Sequence, residues 1–236
     1  KSLLYYLRIE DIVERFGEPY EKGRLYNNLG KLYATLNDYR KSLDYFRKAE
    51  LQCQYASGTD RSCELPEVFY TNIGIALHNT GDTKAGLEYL FKAQLILNGR
   101  KDLGALASLE HLIANVYFKS GDLYNALEHN RLAIDYAQKT QQSDVLTRTY
   151  KTAAEVYQDL YDFEKAFDYY TRYLDLLDSA RLEEQRRQVI LAERNSQLRS
   201  AEGEIRFLLA QQKIKDRDLR ESRNEQDRLE LTNRAL

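Results

Sequence analysis

The sequence predicts an all-α protein. Only two of the 236 residues are proline, Pro19 and Pro66, and 11 are glycine, so long uninterrupted helices are allowed almost everywhere. The hydrophobic fraction of 43% is enough for a sizeable buried core. The N-terminal segment KSLLYYLRIE has the spacing of an amphipathic helix and lacks the pattern of a secretory signal.

The distribution of aromatic residues predicts two domains. All 19 tyrosines lie at or before Tyr173, whereas beyond Asp178 the only aromatic residue is Phe207 and charges of both signs crowd together. We therefore expect a packed domain over residues 1–178 and a separate helical domain over residues 179–236.

Charge and hydropathy exclude two classes of partner. The net charge is -2 and the isoelectric point is near 6.1, so nothing in the charge balance indicates binding to nucleic acid. No apolar run approaches the roughly 18 residues that span a membrane. Residue 1 is not methionine and the chain begins within a helical pattern, so we expect a piece of a longer protein.

A pattern with a period near 40 residues runs through the first domain. The segments NNLGKLY, TNIGIAL, LIANVYF and TAAEVYQ align small residues at spacings of 44, 40 and 40, namely Gly30, Gly74, Ala114 and Ala154. A second set of small residues lies 12 positions later: Ser42, Gly86, Ala126 and Ala166. Two antiparallel helices approach closely only where small side chains face each other, so each repeat is predicted to be a helix pair.

Turn residues separate the two helices of a pair. In HNTGD and FKSGD, Gly81 and Gly121 can take the left-handed conformation that ends a helix, and the aspartate that follows can cap the next helix. Asn37 followed by aspartate is the next-best version of this turn. Tyr161 departs from the pattern, and nothing local explains a tyrosine there.

The repeat boundaries place each helix in order. First helices are expected near residues 23–36, 66–80, 105–120 and 145–160. Second helices are expected near residues 1–16, 39–56, 83–98, 123–140 and from 163 onward. We expect the last one to continue unbroken to at least residue 200, with Phe167, Tyr170, Leu174 and Leu177 packed on the preceding helix.

These repeats resemble the tetratricopeptide repeat family, in a variant with long helices. The resemblance covers residues 1 to about 178, as a partial repeat over residues 1–22 followed by four repeats. It implies a right-handed superhelix with a concave face that binds a peptide or protein.

In this family the first helix of each pair lines the concave groove. The positions that carry over here are Arg24, Asn27, Asn28, Lys31, Asn72, His78, Asn79, His111, Asn115, Lys119, Arg148 and Lys151. A carboxamide both donates and accepts, so a row of asparagines can bind a peptide backbone without selecting its side chains. The alternative is that the asparagines only cap turns or face solvent. The Lys, Asn and Arg set with which some relatives bind a C-terminal carboxylate is not reproduced.

Catalysis has little support, and no cofactor or metal is expected. His78, His111 and His129 lie on separate predicted helices without metal-ligand spacing, and no phosphate-binding glycine loop occurs. We expect the groove histidines and the many carboxylates to be polar surface residues. The tyrosines are better explained by packing between repeats than by chemistry.

Cys53 and Cys63 leave two alternatives open. Cys63 lies in SGTDRSCELP, where the period stretches from 40 to 44. Two free thiols are the simpler interpretation, and a disulfide-closed loop is the alternative in an oxidising compartment.

The tail carries the heptad seam of a coiled coil. Seam positions are Leu191, Arg194, Leu198, Ala201, Ile205, Leu208, Gln212, Lys215, Leu219, Ser222, Gln226, Leu229, Asn233 and Leu236. Such a helix has only this stripe to bury, so we expect a homodimer through residues 181–236. Folding back on the repeats, or a frayed linker, are the alternatives.

Repeats that run into such a charged helix resemble the input region of bacterial sensor histidine kinases. The resemblance implies a sensor that binds its partner on either the periplasmic or the cytoplasmic side, with a possible membrane span and the catalytic modules downstream. The alternative is a free-standing adaptor that dimerises through its coiled coil.

Overall fold

A computed structural model describes residues 2–56 and 66–235, which form nine α-helices and no strand. The helices are α1 (Ser2–Phe16), α2 (Pro19–Thr35), α3 (Tyr39–Ala56), α4 (Pro66–Asn79), α5 (Thr83–Arg100), α6 (Leu103–Lys119), α7 (Leu123–Lys139), α8 (Ser143–Asp159) and α9 (Phe163–Ala235). The all-α prediction is confirmed. α2 begins at Pro19, four residues before the predicted start at residue 23. Proline is favourable in the first turn of a helix, because the amide hydrogen that it lacks would have no partner there.

The chain forms two compact units, residues 1–177 and residues 178–236. In the first unit each first helix packs on the second helix that follows it, as α2 on α3, α4 on α5 and α6 on α7. Neighbouring first helices also touch, α2 with α4, α4 with α6 and α6 with α8. The helix pairs therefore stack as the predicted right-handed superhelix, with the first helices forming one continuous surface.

Small residues bring the two helices of a pair together, as predicted. A Cβ atom on Gly74 would lie 2.7 Å from the carbonyl oxygen of Gly86, and one on Gly86 would lie 2.6 Å from the carbonyl oxygen of Gly74. Ala114 and Ala126 are fully buried at the same contact in the next repeat. In the first repeat the arrangement differs, because the space beside Gly30 is taken by a phenyl ring.

The predicted turns form, and their aspartates cap the next helix. Gly81 and Gly121 have φ angles of 102° and 82°. Asp82 accepts a hydrogen bond from the amide of Ala85 at 3.0 Å, and Asp122 caps α7 in the same way. Each cap satisfies an amide that the helix start leaves without a partner.

Tyr161 also takes the left-handed conformation, with φ of 58°. The amide of Asp162 donates to the carbonyl of Tyr157 at 3.0 Å, as the amide of Asp122 donates to Tyr117 one repeat earlier. This helix-ending hydrogen bond fixes the conformation whichever residue is present, and a residue with a Cβ atom is about 1–2 kcal/mol less favourable there than glycine.

Aromatic rings recur at equivalent places between the helices of a pair. Tyr33 stacks on Tyr45 with ring centroids 5.3 Å apart, and Tyr157 stacks on Tyr169 at 5.5 Å. In the third pair the partner of Tyr117 is His129, at 5.4 Å. These stacks lie within helix pairs and not between repeats, and Tyr124 and Tyr161 are 75% and 81% exposed, so helix packing accounts for only part of the tyrosines.

The face of α9 that packs on α8 was predicted incorrectly. Phe167 and Tyr170 are 74% and 49% exposed, and Leu174 and Leu177 are also exposed. The helix instead turns Tyr169 toward α8. The ring stack sets this register, because it recurs at the same repeat position in the earlier pairs.

α9 is one helix from Phe163 to Ala235, which confirms the prediction that it continues past residue 200. In residues 178–236 the seam side chains of Leu191, Leu198 and Ile205 are 45%, 56% and 56% exposed. At these three positions the stripe that predicted a coiled coil is uncovered in the single chain.

The glycine contact can be tested with two substitutions in α5. We expect Gly86→Ala to lower the free energy of unfolding by about 1–3 kcal/mol, since its Cβ atom would meet the backbone of α4. Gly99→Ala is the matched control, because no atom lies within 4 Å of the added Cβ, and it should raise the free energy of unfolding by up to about 1 kcal/mol. Urea titrations measure both, and equal effects would contradict the close approach.

Candidate functional site

All of the predicted groove residues belong to the first helices, whose shared surface we call the groove. Arg24, Asn27, Asn28 and Lys31 belong to α2; Asn72, His78 and Asn79 belong to α4; His111, Asn115 and Lys119 belong to α6; Arg148 and Lys151 belong to α8. Contacts between successive first helices make the groove continuous over α2, α4, α6 and α8.

Two of its asparagines bind each other across repeats. The Nδ2 atom of Asn72 donates to Oδ1 of Asn27 at 3.0 Å, and both side chains are half-buried. This bond fixes the orientation of both carboxamides. Each keeps donor and acceptor capacity that a bound backbone could use.

The remaining groove asparagines differ in whether their side-chain carboxamides already make hydrogen bonds within the protein. Asn28 is half-buried and makes no hydrogen bond with any residue that the structure describes. Asn79 donates to the carbonyl of Ile75 at 2.8 Å, within its own helix. The Nδ2 atom of Asn115 lies 3.2 Å from Nε2 of His111. Asn79 therefore makes the kind of local hydrogen bond that the alternative predicted, whereas Asn28 makes none with the described residues, and facing solvent stays open as the alternative for Asn28.

A pocket of about 280 Å³ opens between α2, α3 and α4. Its lining residues are Lys31, Ala34, Thr35, Tyr39, Ser42, Phe46, Asn72, Ile75 and Ala76. Lys31 and Asn72 were predicted groove residues. The contribution of α3 was missed, because sequence position alone does not show that a second helix reaches the groove.

His111 is not a surface residue, contrary to the expectation for groove histidines. It is only 5% exposed, and its Nδ1 atom is buried with no hydrogen-bond partner among the described residues. Burial, assisted by the positive charge of Arg148, lowers the pKa of His111 to about 4. The imidazole is therefore neutral at physiological pH.

The other two histidines have separate roles. His78 is half-buried, its Nδ1 atom lies 3.0 Å from Oγ1 of Thr83, and burial together with the charge of Lys119 lowers its pKa. His129 lies on α7, outside the groove. Its Nδ1 atom is 2.7 Å from Oε2 of Glu110.

Two carboxylates are buried, so the expectation of a fully solvated acidic face was wrong for them. Glu110 is 1% exposed. It accepts a hydrogen bond from Gln94 at 2.5 Å and lies 2.7 Å from Nδ1 of His129. These contacts connect α5, α6 and α7. Glu67 is 5% exposed and pairs with Arg100 at 2.5 Å. A buried carboxylate needs such donors, and these come from other helices, which the local sequence does not reveal.

The groove cations differ in whether they are paired. Arg148 lies 3.3 Å from Asp144, and Lys151 lies 3.6 Å from Glu155. Arg24 stacks over a neighbouring tyrosine ring. Lys31 makes no ion pair with any residue that the structure describes. It is therefore a positive charge available to a ligand.

Neither a metal site nor a membrane span occurs among the described residues. Within residues 2–56 and 66–235, no group of three His, Cys, Asp or Glu side chains could hold a metal ion. None of the helices in those ranges is long and apolar enough to span a membrane. Cys63 and the side chain of Cys53 lie outside the described residues, so both thiol alternatives stand.

Sequence comparison identifies the repeats. Family models described as "Tetratricopeptide repeat" match residues 105–179 and residues 23–50. Residues 23–50 and 105–179 therefore carry tetratricopeptide repeats, and the fold is that of a helical repeat protein. No curated protein sequence matches it.

Solved structures share the fold at low identity. The apo form of RapI has a TM-score of 0.62 and 18% identity, over 74% of this chain and 62% of the RapI chain. BtubC (BKLC) from P. vanneervenii has a TM-score of 0.62 and 16% identity, over 75% of this chain and 72% of its own. NprR in complex with its cognate peptide NprX has a TM-score of 0.59 and 18% identity, over 72% of this chain and 48% of the NprR chain.

Burial of His111 predicts a pH-dependent stability. The folded pKa of about 4 lies below the ordinary value of 6.5, so between these values the unfolded chain binds a proton that the folded protein does not. As the pH falls through this window, the free energy of unfolding should fall by up to about 1.4 kcal/mol per pH unit. Urea titrations between about pH 7 and pH 5 measure this dependence.

Two histidine variants separate this contribution from other titrations. We expect His111→Gln to flatten the pH dependence clearly. His78→Gln is the matched control and should flatten it less, because His78 is only half-buried. If both variants keep the original slope, His111 is protonated in the folded protein and the argument fails.

Proposed function

We propose that the repeats bind a peptide or protein segment along the groove. The observation that carries this proposal is the bond between Asn27 and Asn72, which holds two carboxamides of different repeats in fixed orientations on the groove. Asn28 supports it as a half-buried carboxamide with no hydrogen bond of its own among the described residues. NprR, which has a similar fold, was solved with a peptide.

The groove favours recognition of the peptide backbone over a charge pattern. His111 is neutral and buried, and the two cations on α8 already have carboxylate partners in the same helix. Oriented carboxamides can donate to carbonyls and accept from amides of an extended or helical segment. We infer that affinity comes from backbone hydrogen bonds and that side-chain selectivity is confined to few places.

We further propose that this binding event is an input to bacterial signal transduction, in a protein of the histidine kinase type. α9 begins in the repeat unit at Phe163 and extends to Ala235, which would let it report a change in the repeats. The periplasmic and cytoplasmic placements of the repeats are both compatible with this proposal. Sequencing the full-length gene tests it, since kinase motifs downstream would support it and their absence would overturn it.

A second candidate is an adaptor that dimerises through its tail. The exposed seam side chains of Leu191, Leu198 and Ile205 favour it, because an uncovered apolar stripe on a long helix requires a partner. The adaptor keeps the groove function and differs only in its output. A stop codon shortly after Leu236 in the gene would favour it.

The groove proposal predicts the effect of removing two carboxamides. The probe is a linear peptide enriched on this protein from a displayed library of random peptides. We expect the double variant Asn28→Ala, Asn72→Ala to weaken binding of that peptide by about 1–3 kcal/mol, because hydrogen bonds to the backbone are lost. Isothermal titration calorimetry measures the change, and circular dichroism checks that the helices remain.

Asn98→Ala is the matched control for this experiment. Asn98 is an exposed asparagine on the second helix α5, so its loss should leave binding unchanged. If the double variant binds the selected peptide as well as the original protein does, the binding surface lies elsewhere, and the convex side becomes the candidate.

The proposed dimer predicts disulfide crosslinks along the seam. In a background with Cys53→Ser and Cys63→Ser, the single variants Leu198→Cys and Leu219→Cys should each crosslink two chains, as in a parallel coiled coil. Polar seam positions such as Gln212 make the distal pairing weak, so crosslinking at 219 should respond more than at 198 when the selected peptide binds. Non-reducing gels measure both. A monomeric tail would contradict the dimer, and crosslinking indifferent to the peptide would reduce the tail to a spacer.

A further inference from the structure

The pocket between α2, α3 and α4, which we call the α2–α4 pocket, exists because Ala34 is small. The equivalent positions of the later repeats carry His78, Phe118 and Gln158. In the second repeat the imidazole of His78 reaches to within 3.0 Å of Thr83, the equivalent of Tyr39 in the pocket wall. A methyl group at residue 34 leaves that corner empty in the first repeat.

The walls of the α2–α4 pocket are apolar and firmly held. Ala34, Phe46, Ile75 and Ala76 line it, and Phe46 and Ala76 are only 3% and 2% exposed because they also belong to the core between α3 and α4. Its volume of about 280 Å³ lies just below the roughly 300–1,000 Å³ of pockets that enclose drug-sized ligands. The pocket therefore suits one side chain better than a whole small molecule.

The polar groups at the rim divide into occupied and available ones. The Thr35 hydroxyl donates to the carbonyl of Leu32 at 2.7 Å, and the Tyr39 hydroxyl donates to Asn37 at 3.0 Å. The ammonium group of Lys31 has no ion pair among the described residues, and Asn72 is held in place by its bond to Asn27. Ser42 also lines the pocket, deeper in the wall, and its buried hydroxyl has no hydrogen-bond partner among the described residues. Lys31 and Asn72 are thus the groups at the rim that can bind a ligand, and the Ser42 hydroxyl is a further polar group inside the pocket.

We propose that the α2–α4 pocket holds one branched aliphatic side chain of the bound peptide, with a carboxylate of that peptide against Lys31 and a backbone carbonyl on Asn72. The inference rests on the proposed peptide-binding function of the groove and adds its selectivity. The carboxylate can come from the C-terminus of the peptide or from an adjacent acidic side chain. A single cation is involved, so this is not the carboxylate-binding set of lysines, asparagines and arginine that the sequence lacks.

Small amino-acid derivatives test the pocket without a known ligand. The probes are N-acetyl-leucine, N-acetyl-leucinamide and N-acetyl-aspartyl-leucinamide, added to the full chain labelled at its alanine and isoleucine methyl groups. We expect N-acetyl-leucine to shift the methyl resonances of Ala34, Ile75 and Ala76, and N-acetyl-leucinamide to bind about two- to fivefold more weakly because it lacks the carboxylate. Tighter binding of the aspartyl probe than of N-acetyl-leucine would assign the carboxylate to a side chain, and the reverse order would assign it to a C-terminus.

Two variants of the wall change the shape of the pocket in opposite directions. Ala34→Phe should abolish the shifts, because it restores a large side chain like those of the later repeats. Ile75→Ala enlarges the pocket and should change the preference from N-acetyl-leucine toward N-acetyl-phenylalanine. Only a folded Ile75→Ala variant can bind N-acetyl-phenylalanine more tightly. This measurement therefore still tests the pocket if the Ala34→Phe variant does not fold.

Two lysine variants test the charge at the rim. Lys31→Gln should remove the preference for N-acetyl-leucine over its amide. Lys84→Gln is the matched control, since Lys84 is an exposed lysine on the second helix α5 and lies outside both the groove and the pocket lining, and it should leave that preference unchanged. Equal effects of the two variants would overturn the role of Lys31.

The outcomes distinguish this inference from the proposed function. If peptides from the random library bind and depend on Asn28 and Asn72 but N-acetyl-leucine does not shift the pocket methyls, the groove function stands and the inference is overturned. If N-acetyl-leucine binds in the pocket but no library peptide is enriched, the proposed groove function is overturned while the pocket chemistry is supported. Shifts that persist in Ala34→Phe place the probe elsewhere and overturn the inference.

Discussion

The close approach of two helices at a small residue is the constraint on which the repeats depend. At Gly74 and Gly86 the two backbones are so near that a Cβ atom on either glycine would lie within 2.7 Å of the other carbonyl oxygen. That contact fixes the rotation of both helices about their axes. Once the rotation is fixed, as in α6 and α7 where Ala114 meets Ala126, the ring 12 residues after Tyr117 meets its partner and the turn at Gly121 reverses the chain at a set place.

The same constraint determines where polar groups can be used. Each first helix uses the side that carries the small residues to pack on its second helix. A different side of the first helix faces the groove, where Asn27 of one repeat binds Asn72 of the next. The buried Glu110 is compatible with this packing because Gln94 and His129 come from flanking helices to bind it. Groove and core thus follow from one arrangement of helix pairs, and a side chain such as Ala34 alters the groove without altering that arrangement.

Much of the fold could be predicted from the sequence because its determinants are local and periodic. Spacings of 40 and 44 residues placed the helices, and Gly81, Gly121 and the aspartates after them placed the turns. The prediction of the packed face of α9 failed because two apolar stripes were possible there, and only the stacking of Tyr169 on α8 distinguishes them. The groove residues were correctly assigned to first helices, but their burial was not foreseen.

The sequence by itself determined the all-α class and the helix pairs, since these depend on periodicity, small residues and turn chemistry along the chain. The assignment of the groove to the first helices came from the resemblance to tetratricopeptide repeats. Only the tertiary structure decided that His111 is buried and neutral, that Glu67 and Glu110 lie inside, and that a pocket opens beside Ala34. The physical reason is that burial and cavity volume depend on neighbours from other helices. Such neighbours are far apart in the chain, and their side chains meet only after the helix pairs have stacked.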